Sequence, residues 1–97
     1  TYCSTKFALE GFTKSLAIEL APNGIRVNSI CPTFIKTPMT EPFLKDKDFK
    51  NQVLSMIPLG RLGEVEDLMG PFVFLACDAS SMMTGSSVLV DGGWTSR

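Results

Sequence analysis

Helix, strand, proline-broken insertion, helix, strand is the order in which hydrophobic patterns succeed one another along these 97 residues, and it constrains the fold more than any other feature. The stretch "IRVNSIC", residues 25–31, is short, β-branched and bounded by Gly24 and Pro32. That suits a strand buried in a parallel sheet better than a half-exposed hairpin strand. "SSVLVDGG" gives a second strand, Ser87 to Val90, turning at Gly92 and Gly93. The alternation makes the expected fold class α/β with a parallel sheet, incomplete in this chain because its two short strands want neighbours it does not contain. Either a longer parent or other copies supply them.

From Tyr2 to Ala21 the residues Ala8, Phe12, Leu16 and Leu20 recur every four, flanked by Leu9 and Ala17, which predicts a long amphipathic helix. "APNGI" ends it, because Pro22 cannot continue the ladder and Gly24 is free to take positive φ at the cap. Pro32, Pro38, Pro42 and Pro58 punctuate the next segment. Its middle, "FLKDKDFKNQVLSMI", sets Phe49, Val53 and Ile57 on one stripe with "KDKD" facing away, so a loop and one or two short mobile helices are expected. "EVEDLMGPFVFLACD" opens with acids, as the helix dipole favours, and turns apolar. Interior proline costs ~3 kcal/mol unless the helix kinks, so Pro71 predicts that this element bends or starts late.

The formal net charge is −1, with nine basic and ten acidic residues interspersed. No basic face advertises nucleic acid or an anionic membrane, so neither is an expected partner. No apolar run approaches the ~20 residues of a membrane span, and the expectation is a soluble, cytoplasmic protein. Cys3, Cys31 and Cys77 are odd in number, widely spaced and unaccompanied by histidine. That fits neither a disulfide framework nor a metal site, and reduced core thiols are expected. The chain opens at Thr1 rather than Met, on the first turn of a helix, and is read as a fragment of a longer protein.

That first turn, "TYCSTKF", holds Tyr2 and Lys6 four residues apart. On a helix they lie one turn above each other on one face, where an ammonium favours phenolate and the Tyr can exchange a proton near neutral pH. Moving a tyrosine from ~10 toward 7 needs roughly 4 kcal/mol, and a unit charge ~5 Å away at an effective dielectric of ~20 supplies about 3. Two common residues at one spacing also meet by chance in many helices, so the pair alone is either chemistry or decoration.

It does not stand alone. "YCSTK", "ALEGFTKSLAIELAPNGIRVNSICPTFIKTP", "PLGRLGEVEDL" and "FLACDASSMMTGSSVLVDGG" resemble, in order and spacing, the C-terminal part of the short-chain dehydrogenase/reductase family. The resemblance covers essentially every residue. It implies the C-terminal portion of a doubly wound, Rossmann-type parallel sheet: residues 1–97 as part of one NAD(P)-binding domain, with a catalytic helix at 2–21, a cofactor loop at 32–38, a substrate lid at 38–57, and a C-terminal helix and strand at 64–91. It further implies Tyr2 as acid/base toward a carbonyl or alcohol, and Lys6 as both modulator of that tyrosine and partner of the nicotinamide ribose. The loop "CPTFIKTP" resembles the segment where Pro32, Ile35 and Thr37 hold the nicotinamide carboxamide or phosphate of NAD or NADP.

The family commonly has glycine where this chain has Thr33. A β-branched residue disfavours positive φ, so the loop is expected to run through extended space there. The glycine-rich phosphate turn, the active-site asparagine and serine, and the residue that separates NAD from NADP all precede the tyrosine in the family and are not in this sequence. The function implied is a fragment of an oxidoreductase interconverting a small alcohol and ketone, homotetrameric or homodimeric when full-length. The rival is a truncated, non-catalytic paralogue serving as an oligomerisation module.

Overall fold

A computed structural model describes the backbone of residues 2–96 and the side chains of residues 4–96. The elements are α1 (Tyr2–Leu20), a 3-10 turn (Ala21–Asn23), β1 (Ser29–Pro32), α2 (Glu41–Leu44), α3 (Lys47–Ser55), α4 (Glu66–Ala76) and β2 (Ser87–Val90), with further 3-10 turns at Asp78–Ser80 and Trp94–Ser96. β1 and β2 pair in a two-stranded sheet. Val27 meets Gly85 and Ser29 meets Ser86, so both strands advance in the same sense, as a parallel α/β sheet requires. Two compact units divide the chain, one built from residues up to 30 together with 71–88, the other from 31–70 together with 89 onward.

In the first unit α1 ends where the sequence places its stop: Gly24 takes φ 73° and its N–H donates to the Ala21 carbonyl. The strand starts later than expected, at Ser29 rather than residue 25. The Val27 carbonyl accepts from the Gly85 N–H, but the bonds that follow at residues 26–28 involve side chains. The Arg26 guanidinium donates to the carbonyls of Leu75 (2.8 Å), Met83 (3.1 Å) and Cys77 (3.3 Å), holding the acceptors that α4 and its exit leave open. Asn28 donates to the Met83 carbonyl and accepts from the Ser86 N–H, and the Val27 N–H donates to Thr84 Oγ1.

The packed stripe of α1 is also rotated from the expected one. Thr13 and Ala17 are buried whereas Phe12 is 61% exposed within this unit. Thr13 tolerates burial because its hydroxyl donates to the Leu9 carbonyl at 2.8 Å. Ala17 faces Gly85 closely enough that a β-carbon there would sit 3.5 Å from its own. The segment 66–76 is assigned as one helix with Pro71 inside it, opening on Glu66 and Asp67 rather than at residue 64. Cys31 is a half-buried free thiol and Cys77 an exposed one, so the latter is no core residue; Cys3 lies outside the described side chains.

The second unit has a core of Val53, Ile57 and Leu62, with Phe34, Leu44, Phe49, Leu54 and Trp94 packed on it. The Phe49/Val53/Ile57 stripe read from the sequence therefore points inward, and "KDKD" is exposed. Within that run Asp46 caps α3, accepting from the Asp48 and Phe49 N–H groups. Phe34 meets Phe49 edge-on, with ring centroids 5.9 Å apart, and Trp94 at 5.8 Å. These rings seat the segment following β1 on the core.

Candidate active site

The segment after β1 is positioned by two separate devices. The first is a parallel bridge between Ile35 and Gly63. Lys36 N–H donates to the Gly63 carbonyl at 2.9 Å, and Gly63 N–H to the Phe34 carbonyl at 3.0 Å. Gly63 makes both bonds of this bridge, so the N–H and carbonyl of Ile35 itself point away from it. A β-carbon at position 63 would meet Ile35 Cδ1, the far end of that side chain, which would have to turn aside.

Gly63 is in turn fixed by an ion pair. Arg61 grips Asp67 through two bonds of 2.8 and 2.9 Å, and the Glu64 N–H donates to the same carboxylate at 2.8 Å. The bidentate hydrogen bonds of Arg61, followed by the Glu64 N–H, hold the Asp67 carboxyl well below the usual carboxylate range, and the partner raises Arg61. Lys36 also pairs with Glu64 at 3.1 Å.

The second device is the turn Thr37–Thr40. Thr40 Oγ1 donates to the Ile35 carbonyl at 2.6 Å and accepts from the Thr37 N–H at 3.0 Å. The two threonine hydroxyls lie 3.2 Å apart, and the Thr40 N–H reaches Thr37 Oγ1 at 3.3 Å. The loop borders two hollows in this unit. One, of about 450 Å³, is lined by Lys36, Thr37, Pro38, Glu41 and Lys50 among others. The other, of about 590 Å³, includes Thr33, Ile35, Arg61, Asp67 and Asp91.

Pro32, Ile35 and Thr37, each half-buried, thus share one hydrogen-bonded segment at the end of β1. Lys6 belongs to the other unit, exposed on α1, and Tyr2 shares that helix with its side chain outside the described residues. Among the described residues no non-glycine residue has positive φ, so Thr33 avoids the left-handed region that its β-branch disfavours. Among the described residues no group of three or more His, Cys, Asp and Glu is placed to hold a metal, and no helix is long and apolar enough to cross a membrane.

Residues 1–95 match the family model described as enoyl-(acyl carrier protein) reductase. Bovine L-xylulose reductase is 50% identical over 93 residues, which are 96% of this chain and 38% of that relative. Among solved structures, a protein from Agrobacterium tumefaciens with bound NADP superposes with a TM-score of 0.93 at 42% identity, over 99% of this chain and 39% of that one. A short-chain type dehydrogenase/reductase from Mycobacterium marinum superposes with a TM-score of 0.90 at 46% identity, again over 99% of this chain and 37% of the other. The chain belongs to the short-chain dehydrogenase/reductase family. It spans little more than a third of the length of the relatives it matches.

Sequence reading of this short-chain dehydrogenase/reductase missed three contributors to the loop: Gly63, the Arg61–Asp67 clamp and Thr40. Each had a signal. Asp67 follows Arg61 within a turn rich in glycine, and Thr40 stands three residues after Thr37, the spacing at which a hydroxyl closes a local turn.

Proposed function

We propose that the full-length protein carrying this chain is an NAD(P)-dependent oxidoreductase that interconverts a secondary alcohol and a ketone. The observation that carries this reading is the in-register match of residues 1–95, with Tyr2 and Lys6 on one helix and an ordered loop at the end of β1. Ligands in doubly wound sheets bind beyond the carboxyl ends of the strands, where this loop lies. An amide needs one acceptor and one donor opposite it. The Ile35 N–H and the carbonyl lone pair left beside its bond from Thr40 Oγ1, both turned away from the bridge to Gly63, form such a set, so the residues present fit a nicotinamide carboxamide.

In this reading Pro32 and Ile35 hold the carboxamide through their backbone, Thr37 offers its hydroxyl to the carboxamide or a phosphate, and Lys6 holds the ribose hydroxyls. The chemistry a bound nicotinamide supplies is donation or acceptance of a hydride. Tyr2 supplies the proton. In the reductive direction its phenol O–H breaks as the proton passes to the carbonyl oxygen, leaving an alcohol and a phenolate that regains a proton from solvent. Lys6, one helical turn away, favours that phenolate by its charge. The substrate is a small alcohol or ketone, covered by a lid at residues 38–57.

The full-length protein is proposed to be a homodimer or homotetramer that uses α1 in one interface, and α4 with β2 in another. Large apolar side chains exposed within the first unit support this, Phe7 and Ile18 on α1 and Phe72 and Val73 on α4. A panel of ketones and alcohols, assayed on the full-length protein with each of the two reduced and oxidised nicotinamide cofactors, tests the activity. Cofactor-dependent turnover of at least one alcohol/ketone pair is expected. Absence of both turnover and cofactor binding would overturn the reading.

A further inference from the structure

Thr40 stands at the N-cap of α2, yet its side chain makes no cap hydrogen bond to that helix. A threonine there ordinarily gives its oxygen to a first-turn N–H, which contributes about 1 kcal/mol to the helix. Here the hydroxyl is turned back to the preceding loop. It reaches the Ile35 carbonyl at 2.6 Å, the Thr37 N–H at 3.0 Å and the Thr37 hydroxyl at 3.2 Å. One half-buried oxygen thereby fixes the two positions assigned above to the dinucleotide, leaving the helix it precedes uncapped by a side chain.

We propose that Thr40 is a positioning residue for cofactor binding, setting the Ile35 peptide and the Thr37 hydroxyl before the ligand arrives. The inference rests on the oxidoreductase reading. Its single proton goes to the Ile35 carbonyl, which turns the Ile35–Lys36 peptide to a fixed angle. Its lone pairs receive the Thr37 N–H and, in the free loop, the Thr37 hydroxyl proton. An acceptor oxygen on the ligand then takes that last proton by rotation of one hydroxyl, while the Thr40 N–H, 3.3 Å away, keeps Thr37 Oγ1 in place. Binding costs little reorganisation at Ile35 and Thr37 because their bonds to Thr40 Oγ1 are made before the ligand arrives.

The test uses the full-length protein and three variants. Thr40→Val keeps the shape without the hydroxyl, Thr40→Ser restores the hydroxyl, and Thr37→Val removes the group acted upon. Dissociation constants for NAD and NADP are measured by calorimetry, and amide exchange at Thr37 is followed in the ligand-free protein. Thr40→Val is expected to speed Thr37 exchange and to weaken binding of the preferred cofactor about tenfold, with a smaller change in kcat at saturation. Thr40→Ser should stay within about threefold of wild type. In the Thr37→Val background the effect of Thr40→Val should shrink, since part of its action passes through Thr37. Unchanged binding by a folded Thr40→Val protein, or no rescue by serine, would overturn the role of Thr40. A wild-type protein that binds neither dinucleotide would overturn the oxidoreductase reading beneath it, and faster Thr37 exchange in Thr40→Val would then mark the hydroxyl as structural only.

Discussion

A β-carbon on Gly92 would lie 2.7 Å from Ile57 Cγ2, and φ there is +61°, so at this position the turn after β2 and the core of the second unit both require glycine. The Gly92 carbonyl also accepts from the Leu59 N–H at 3.0 Å, tying that turn to the segment after α3. Gly92→Ala should lower stability by about 1–3 kcal/mol in denaturant unfolding of the full-length protein, the usual cost of strain at a left-handed position. Asp67 gives a pH signature. Its folded carboxyl titrates below its unfolded value, so the Arg61 clamp contributes stability that is present above the unfolded value of about 4 and is lost as pH falls from there through the lower folded one. Asp67→Asn should therefore flatten the acid side of the stability profile. Because the pair is exposed, the difference from wild type should also shrink in high salt. A parallel acid limb in the two proteins would show that the clamp contributes nothing.

The proposed lid, residues 38–57, resolves into two unlike pieces. α3 is capped by Asp46 and buries Val53, whereas α2 is a single turn that leaves its own Phe43 and the preceding Met39 exposed. Ligand binding is therefore expected to add hydrogen-exchange protection across residues 38–57, concentrated on 38–45; unchanged exchange in this span would sink the lid assignment. Local chemistry legible in the sequence governs much of the fold: the stop at Gly24, the inward stripe of Phe49, Val53 and Ile57, the strand from Ser87 to Val90 and the positive φ at Gly92 and Gly93. Long-range contacts decide the rest. β1 begins at Ser29 because Arg26, Val27 and Asn28 bond to residues 75–86, and α1 packs on Thr13 and Ala17 because Gly85 approaches there. The loop was legible as a place, at Pro32, Ile35 and Thr37. What holds it was less so: the bridge from Gly63 depends on backbone direction, and the Thr40 hydroxyl has a legible spacing from Thr37 but not a legible choice of the Ile35 carbonyl.

At the scale of the molecule, these residues align with little more than a third of each relative. Residues 1–97 expressed alone would expose Phe7 and Ile18 to water and are expected to bind neither NAD nor NADP measurably by calorimetry. The proposed reaction requires the full-length protein, and its central claim is that Tyr2 moves the proton while Lys6 serves both that tyrosine and the cofactor. The most direct measurement is steady-state turnover of full-length Tyr2→Phe across pH, alongside its cofactor dissociation constant and those of Lys6→Met. Tyr2→Phe is expected to bind the cofactor nearly as wild type while losing about 10²-fold or more in turnover, and Lys6→Met to lose both. Near wild-type turnover by Tyr2→Phe throughout the pH range would contradict the assignment.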